Sequence, residues 1–163
     1  MVRLRNRQVV SPIPRRAPAP EGWLRRAAAL GAATGLRSTV GLSALVWRRS
    51  DGLCALFVRM AAAAVVCAEL VFDKLPTTPS RLHPKPLGGR VLFAGVGGAV
   101  LARSQRTSAI PAVAIAAGAA LAAARVGHDA RVASARRMPD LVVAVIEDAL
   151  AMWLAAWASS GYR

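Results

Sequence analysis

Acidic side chains are scarce in this 163-residue chain: eight Asp and Glu stand against 22 Lys and Arg, a formal net charge of +14. The few acids form no repeated carboxylate motif of the kind CDP-alcohol phosphotransferases use, which argues against that chemistry. Histidines number two, and His128 beside Asp129 is too small a donor set to hold a metal, so neither a metal nor a cofactor is expected. Cysteines also number two. Cys54 and Cys67 fall 13 residues apart in one expected helix, about 20 Å along its axis, so they cannot pair within it and their redox state stays open. No helix-turn-helix, RNP or zinc-finger pattern accompanies the positive charge, so nucleic acid is not an expected partner.

What the chain does hold is small and apolar. Hydrophobic residues make up 55% of it and the mean hydropathy is +0.41, above the share of an average soluble domain. Ala109 to Ala124 reads AIPAVAIAAGAALAAA and Val91 to Ala102 reads VLFAGVGGAVLA, neither with a polar face. A helix apolar all round sits in lipid or in a large core, and a chain this short cannot bury several. The expected fold is therefore all-α, a polytopic membrane bundle of about five short helices in residues 23–163. Before it comes a basic, proline-rich arm, residues 1–22, whose composition does not support a packed core.

The breaks place five spans: Trp23 to Trp47, Leu53 to Phe72, Leu87 to Ala102, Ala109 to Val126 and Leu141 to Trp157. Several fall near or below the roughly 20 residues a bilayer core needs, so whether spans 1 and 3 cross fully stays open. Tryptophans 23, 47, 153 and 157 lie toward span ends, where indoles favour the interface. With five crossings, the arm and the 73–90 and 125–137 connections share one side and hold 15 Lys and Arg against 5 opposite. The positive-inside rule then predicts an inner-membrane protein with its N-terminus cytoplasmic and its C-terminus outside. Small residues recur every fourth position at Gly31 and Gly35, at Ala94, Gly98 and Ala102, and at Ala112, Ala116, Ala120 and Ala124. Such ridges let helices approach closely, within a chain or between copies in a homo-oligomer.

Charges inside the spans are the candidates for function, because an ionisable group in a bilayer is costly and seeks a partner or water. Arg37 lies in an apolar stretch beside Ser38; Gly35, Ser38, Thr39 and Gly41 around it suggest a broken or re-entrant helix, whose released backbone groups need partners. Glu69 and Asp73 share one helical face at a spacing of four, close to where Pro76 ends the helix. Glu147 and Asp148 sit several residues into the last span and point roughly 100° apart, so at most one faces a given partner. Arg37 and Arg59 are the candidates for structural pairing with them. Arg125 with Asp129 and Arg136 with Asp140 read as i,i+4 pairs on a solvated helix.

The connection DKLPTTPSRLHPKPLGGR has prolines at 76, 79, 84 and 86, which predict an extended path. Lys74, Arg81, Lys85 and Arg90 line it with positive charge suited to a phosphate or lipid headgroup, and equally to a rigid loop on the positive side. PSRLHP lacks the Gly-His of the PSGH segment in lipid phosphatases, and no second motif of theirs is evident.

Taken together, GLRS in the first span, ELVFDKLPTTPSR with the following PLGGR, and VVAVIEDALA in the last resemble an uncharacterised bacterial membrane-protein family, domain of unknown function 4126, over about residues 27–158. The resemblance implies a small polytopic inner-membrane protein and carries no activity with it. The expected function is a transporter or channel-like protein for an ion or small anionic solute, with Arg37, Ser38, Glu69, Asp73, Glu147 and Asp148 as its polar site. A lipid-phosphate-binding enzyme or carrier and a non-catalytic assembly factor are the alternatives, and an enzyme is the less favoured class. Bilayer lipid, anionic lipid in particular, is the expected partner.

Overall fold

The computed structural model describes residues 21–49, 53–72, 84–135 and 137–160. Among them the chain is all-α, with six helices and no strand: α1 (Trp23–Leu36), α2 (Val40–Arg49), α3 (Leu53–Phe72), α4 (Pro84–Ser104), α5 (Ala109–Ser134) and α6 (Asp140–Ser159). The basic arm through residue 20 lies outside the described residues, as do Asp73, Lys74 and Arg81. Two helices, α5 and α6, are long and apolar enough to cross a membrane.

Six helices stand where five spans were expected because the first span breaks. Arg37 leaves helical geometry (φ −137°, ψ 116°) after its N–H closes the last turn of α1 on the Ala33 carbonyl. Gly35 before it and Ser38 and Thr39 after it are weak helix formers. Helix α2 then turns back along α1 rather than continuing. Gly41 packs against the Thr34 hydroxyl and the Leu30 carbonyl, and Gly97 of α4 faces both Leu30 and Leu42. The two helices therefore form a re-entrant hairpin with its tip at residues 37–39.

Three further boundaries differ from expectation. Helix α4 begins at Pro84, so Pro84 and Pro86 lie in its first turn, where a missing N–H costs no helical bond; the extended path does not reach them. Helix α5 runs two turns past Val126 to Ser134, so His128 and Asp129 are helical rather than part of a connection. The ends of the helices also fall differently from a count of five straight spans. Because α1 and α2 double back, the start of α1 and the ends of α2 and α6 lie at one end of the bundle. There Arg26 donates to the Trp157 carbonyl (3.0 Å) and to Ser160 Oγ (2.9 Å), and Arg59 donates to the Trp47 carbonyl (3.2 Å).

Small residues fill the centre. Helix α1 lies between α5, α4 and α6, and its Gly31 and Gly35 rest on the backbone of Ala116 and Ala120, where a Cβ would collide. Gly98 of α4 meets Ala112 and Ala116 from another side. All three small-residue ladders thus converge on one seam, with Ala94, Ala102, Ala112, Ala116, Ala120 and Ala124 buried. Leu30, Leu45 and Leu101 are buried beside it, but many large apolar side chains point outward: Ile110 is 81% exposed and Phe57 75%, and Leu56, Leu92, Leu141, Ile146 and Trp153 are exposed with them.

Candidate functional site

The hairpin tip is where charge gathers. Breaking a helix releases carbonyls at the end of α1 and N–H groups ahead of α2, and each must find a partner when buried. Other helices supply them. Glu69, one turn from the end of α3, accepts from the Ser38 N–H at 2.6 Å, the Thr39 N–H at 2.9 Å and the Thr39 hydroxyl at 2.5 Å. Arg90, in the second turn of α4, donates to the Gly35 carbonyl at 3.3 Å and to Ser38 Oγ at 3.2 Å. A carboxylate therefore sits on the donor side of the break and a guanidinium on its acceptor side, each complementing the partial charge of a helix end.

Arg37 leaves the tip in a third direction. Its guanidinium forms an ion pair with Asp148 in the middle of α6, and only 1% of it is exposed. The neighbouring Glu147 points elsewhere, as adjacent helical positions must. It accepts from Arg131 Nε of α5 at 2.9 Å, and Arg131 also lies 3.9 Å from Asp140. Gly127 makes room for the Glu147 carboxylate, which a Cβ there would approach to 3.4 Å. Among the described residues, the carboxylates of Glu69, Asp148 and Glu147 and the guanidiniums of Arg37, Arg90 and Arg131 thus gather, with Ser38 and Thr39, around the tip and along the adjoining part of α6.

Of the expected site residues, Arg37, Ser38, Glu69, Glu147 and Asp148 belong to this set. Asp73 lies outside the described residues, as do Lys74 and Arg81 of the expected headgroup loop and the side chain of Lys85. Arg90 is placed differently from expectation: it is 3% exposed and turned inward to the tip rather than lining the basic connection. Arg131 and Thr39 are members that spacing within a single span does not indicate. Arg131 reaches Glu147 across the α5–α6 turn and also lies beside Asp140; Arg136, the expected i,i+4 partner of Asp140, lies outside the described residues. Arg59 turns to α2, donating to the Trp47 carbonyl with its guanidinium over the Trp47 ring, 5.8 Å from the centroid. Among the described residues no three His, Cys, Asp or Glu side chains gather in a metal-binding group.

Comparison with family models, with curated proteins and with solved structures gives no match.

Proposed function

We propose that the chain is a polytopic inner-membrane protein of transporter or channel type, in which α3 to α6 cross the bilayer and the α1–α2 hairpin enters from one side to carry a polar site for an ion or small anionic solute. The observation that carries this reading is the broken helix at Arg37–Thr39, with charged groups from α3, α4 and α6 converging on it. Discontinuous helices with ionisable partners near their break are the means by which membrane transporters bind solutes away from water. Irregular backbone is tolerated in a membrane only where protein or a cavity satisfies it, as Glu69 and Arg90 do here.

The membrane part is supported by the inversion of side-chain size. Beside a few buried leucines, such as Leu30, Leu45 and Leu101, this bundle packs its seam with alanine and glycine and exposes many Leu, Ile, Phe and Trp side chains, as helices packed in lipid do. Helices α1 and α2, 14 and 10 residues long, are too short to cross a core of about 30 Å, whereas α3, α4, α5 and α6 each have 20 or more. Four crossings put both termini on one side. The arm's Arg3, Arg5, Arg7, Arg15 and Arg16 make that side the more positive, so both termini are cytoplasmic.

Kinship with domain of unknown function 4126 rests on the motifs alone. They supply the site: GLRS is the hairpin tip, ELVFDKLP brings Glu69 to it, PLGGR brings Arg90, and VVAVIEDALA brings Glu147 and Asp148.

Flux through proteoliposomes across a panel of monovalent ions and small anions tests the reading. Transport that falls at least tenfold in Glu69→Gln and Glu147→Gln is the expected result, and flux unmoved by both substitutions rejects it. A second reading, the non-catalytic assembly factor, is favoured by the pairing of Glu69, Glu147 and Asp148 with donors inside the bundle. It predicts no flux at all, with folding that survives exchange of the Arg37 and Asp148 charges.

A further inference from the structure

A lateral groove of about 510 Å³ opens between α2, α3 and α6. Its floor runs along α2 from Val40, next to the hairpin tip, to Trp47 and Arg48 at the end of the bundle where α1 begins. Its walls are low because α3 presents Ala62 and Cys67, and α6 presents Ala156. The eight helical steps from Val40 to Arg48 span about 12 Å, close to the roughly 15 Å depth of one leaflet's hydrocarbon. Arg48 is exposed at the rim, and among the described residues no acidic side chain lines the groove.

We propose that this groove holds an anionic glycerophospholipid of the cytoplasmic leaflet, with an acyl chain lying along α2 and the headgroup phosphate at Arg48. The proposal rests on the membrane reading and on the hairpin's entry from the cytoplasmic side. Three features converge. The groove is apolar over its length, as an acyl chain requires. The charged side chain among the described lining residues is Arg48, which stands at the depth of Trp47, whose indole marks the interface. A basic residue at that depth attracts anionic lipid. A lipid seated there packs against the outer face of the hairpin, so its presence steadies α2, whose break is otherwise held from α3 and α4.

Native mass spectrometry of the full chain tests this, after detergent extraction and equilibration with phosphatidylglycerol or phosphatidylcholine. One phosphatidylglycerol per chain is expected, in preference to phosphatidylcholine. Arg48→Ala should reduce its retention about fivefold, the effect of one basic residue at a membrane surface. Ala156→Phe, at an exposed position, should fill the groove and remove the bound lipid while leaving Arg48 in place. Equal retention of the two lipids, or retention unmoved by Arg48→Ala, overturns the proposal. So does disulfide cross-linking of Cys67 between chains in a Cys54→Ser background, which would make the groove an interface between two copies. Partition of the wild-type chain into carbonate-washed membranes separates the outcomes: a chain that stays in the membrane yet holds no lipid refutes the lipid site alone, and a chain that washes off refutes the membrane reading.

Discussion

Arg37 and Asp148, 111 residues apart in the chain, form an ion pair that ties the tip of the α1–α2 hairpin to the middle of α6. The Arg37 side chain is 1% exposed, so removing Asp148 takes a counter-charge from a buried cation. Breaking such a pair from one side costs about 3 to 5 kcal/mol, much more than the pair contributes over an apolar replacement. Asp148→Asn should therefore lower the thermal stability of the detergent-solubilised protein markedly, as followed by size-exclusion chromatography after heating. Arg37→Asp combined with Asp148→Arg should recover part of the loss. A double variant no better than Arg37→Asp alone would show that the tip tolerates the guanidinium only from its own side.

Glu69 holds the break through acceptors that an amide reproduces poorly. A glutamine has one carbonyl oxygen where the carboxylate uses both, Oε1 for the Ser38 N–H and Oε2 for the Thr39 N–H and hydroxyl. Hydrogen bonds to a charged group contribute roughly 1.5 to 3 kcal/mol each. Glu69→Gln should accordingly speed hydrogen exchange at the Ser38 and Thr39 amides by about ten- to a hundredfold, while the amides of α5 keep their wild-type rates. Uniform acceleration through all helices would mean that Glu69 supports the whole bundle and not the tip in particular.

The glycines of α1 differ in kind from Gly118 of α5. A Cβ on Gly31 or Gly35 meets the backbone of Ala116 or Ala120, which cannot rotate away, whereas nothing lies within 4 Å of one on Gly118. Gly31→Ala and Gly35→Ala should force α1 from α5 and abolish a monodisperse chromatographic peak. Gly118→Ala should be neutral or gain a few tenths of a kcal/mol from helix propensity, within the ~1 kcal/mol separating Gly from Ala.

Much of this arrangement was legible in the sequence, for physical reasons that act locally. An arginine flanked by Gly35, Ser38 and Thr39 is both a weak helix segment and a charge that needs a partner, so the break at Arg37 follows from composition. The ladders at Gly31, Ala94 and Ala112 mark the central seam because only small residues let backbones touch. The direction of α2 was not legible: whether a broken helix continues or doubles back depends on Gly41 fitting beside Thr34, a contact no periodicity encodes. The partners of Glu69 and Arg90 escaped for the same reason. Both act on backbone groups of the break, and a pairing scheme that counts only opposite charges misses them. Arg90 in particular follows PLGG and reads as the end of a basic loop, although helix α4 has already begun at Pro84.

The turn between α4 and α5 offers a substitution that should stabilise the fold without touching the site. Arg106 has φ 53°, the left-handed region, where a Cβ is strained and glycine is at ease. The conformation is imposed by the helix end: the Thr107 N–H donates to the Ala102 carbonyl at 2.9 Å and the Gln105 N–H to the Leu101 carbonyl at 3.2 Å, capping carbonyls that α4 leaves open. Arg106→Gly keeps those bonds and relieves the strain, so the melting transition should rise by the equivalent of about 1 kcal/mol.

The doubling back of α1 and α2 has a consequence for topology that labelling can check directly. In the proposed topology the hairpin contributes no crossing and α3 to α6 make an even number, so a cysteine at Glu21 should react from the same side as one at Ser160. Both sit at the end of the bundle where Arg26 meets Trp157 and Ser160. Asp129 and Arg137 are exposed at the opposite end, near the α5–α6 turn. In a background lacking Cys54 and Cys67, a membrane-impermeant maleimide applied to spheroplasts should label Asp129→Cys and Arg137→Cys and spare Glu21→Cys and Ser160→Cys until the membrane is opened. Labelling Ser160→Cys from outside while Glu21→Cys stays protected would restore five crossings and require α1 and α2 to run on as one span. That arrangement would carry Val40 away from Ala33, with which it shares a buried cluster, so the two topologies cannot both be compatible with the hairpin contacts.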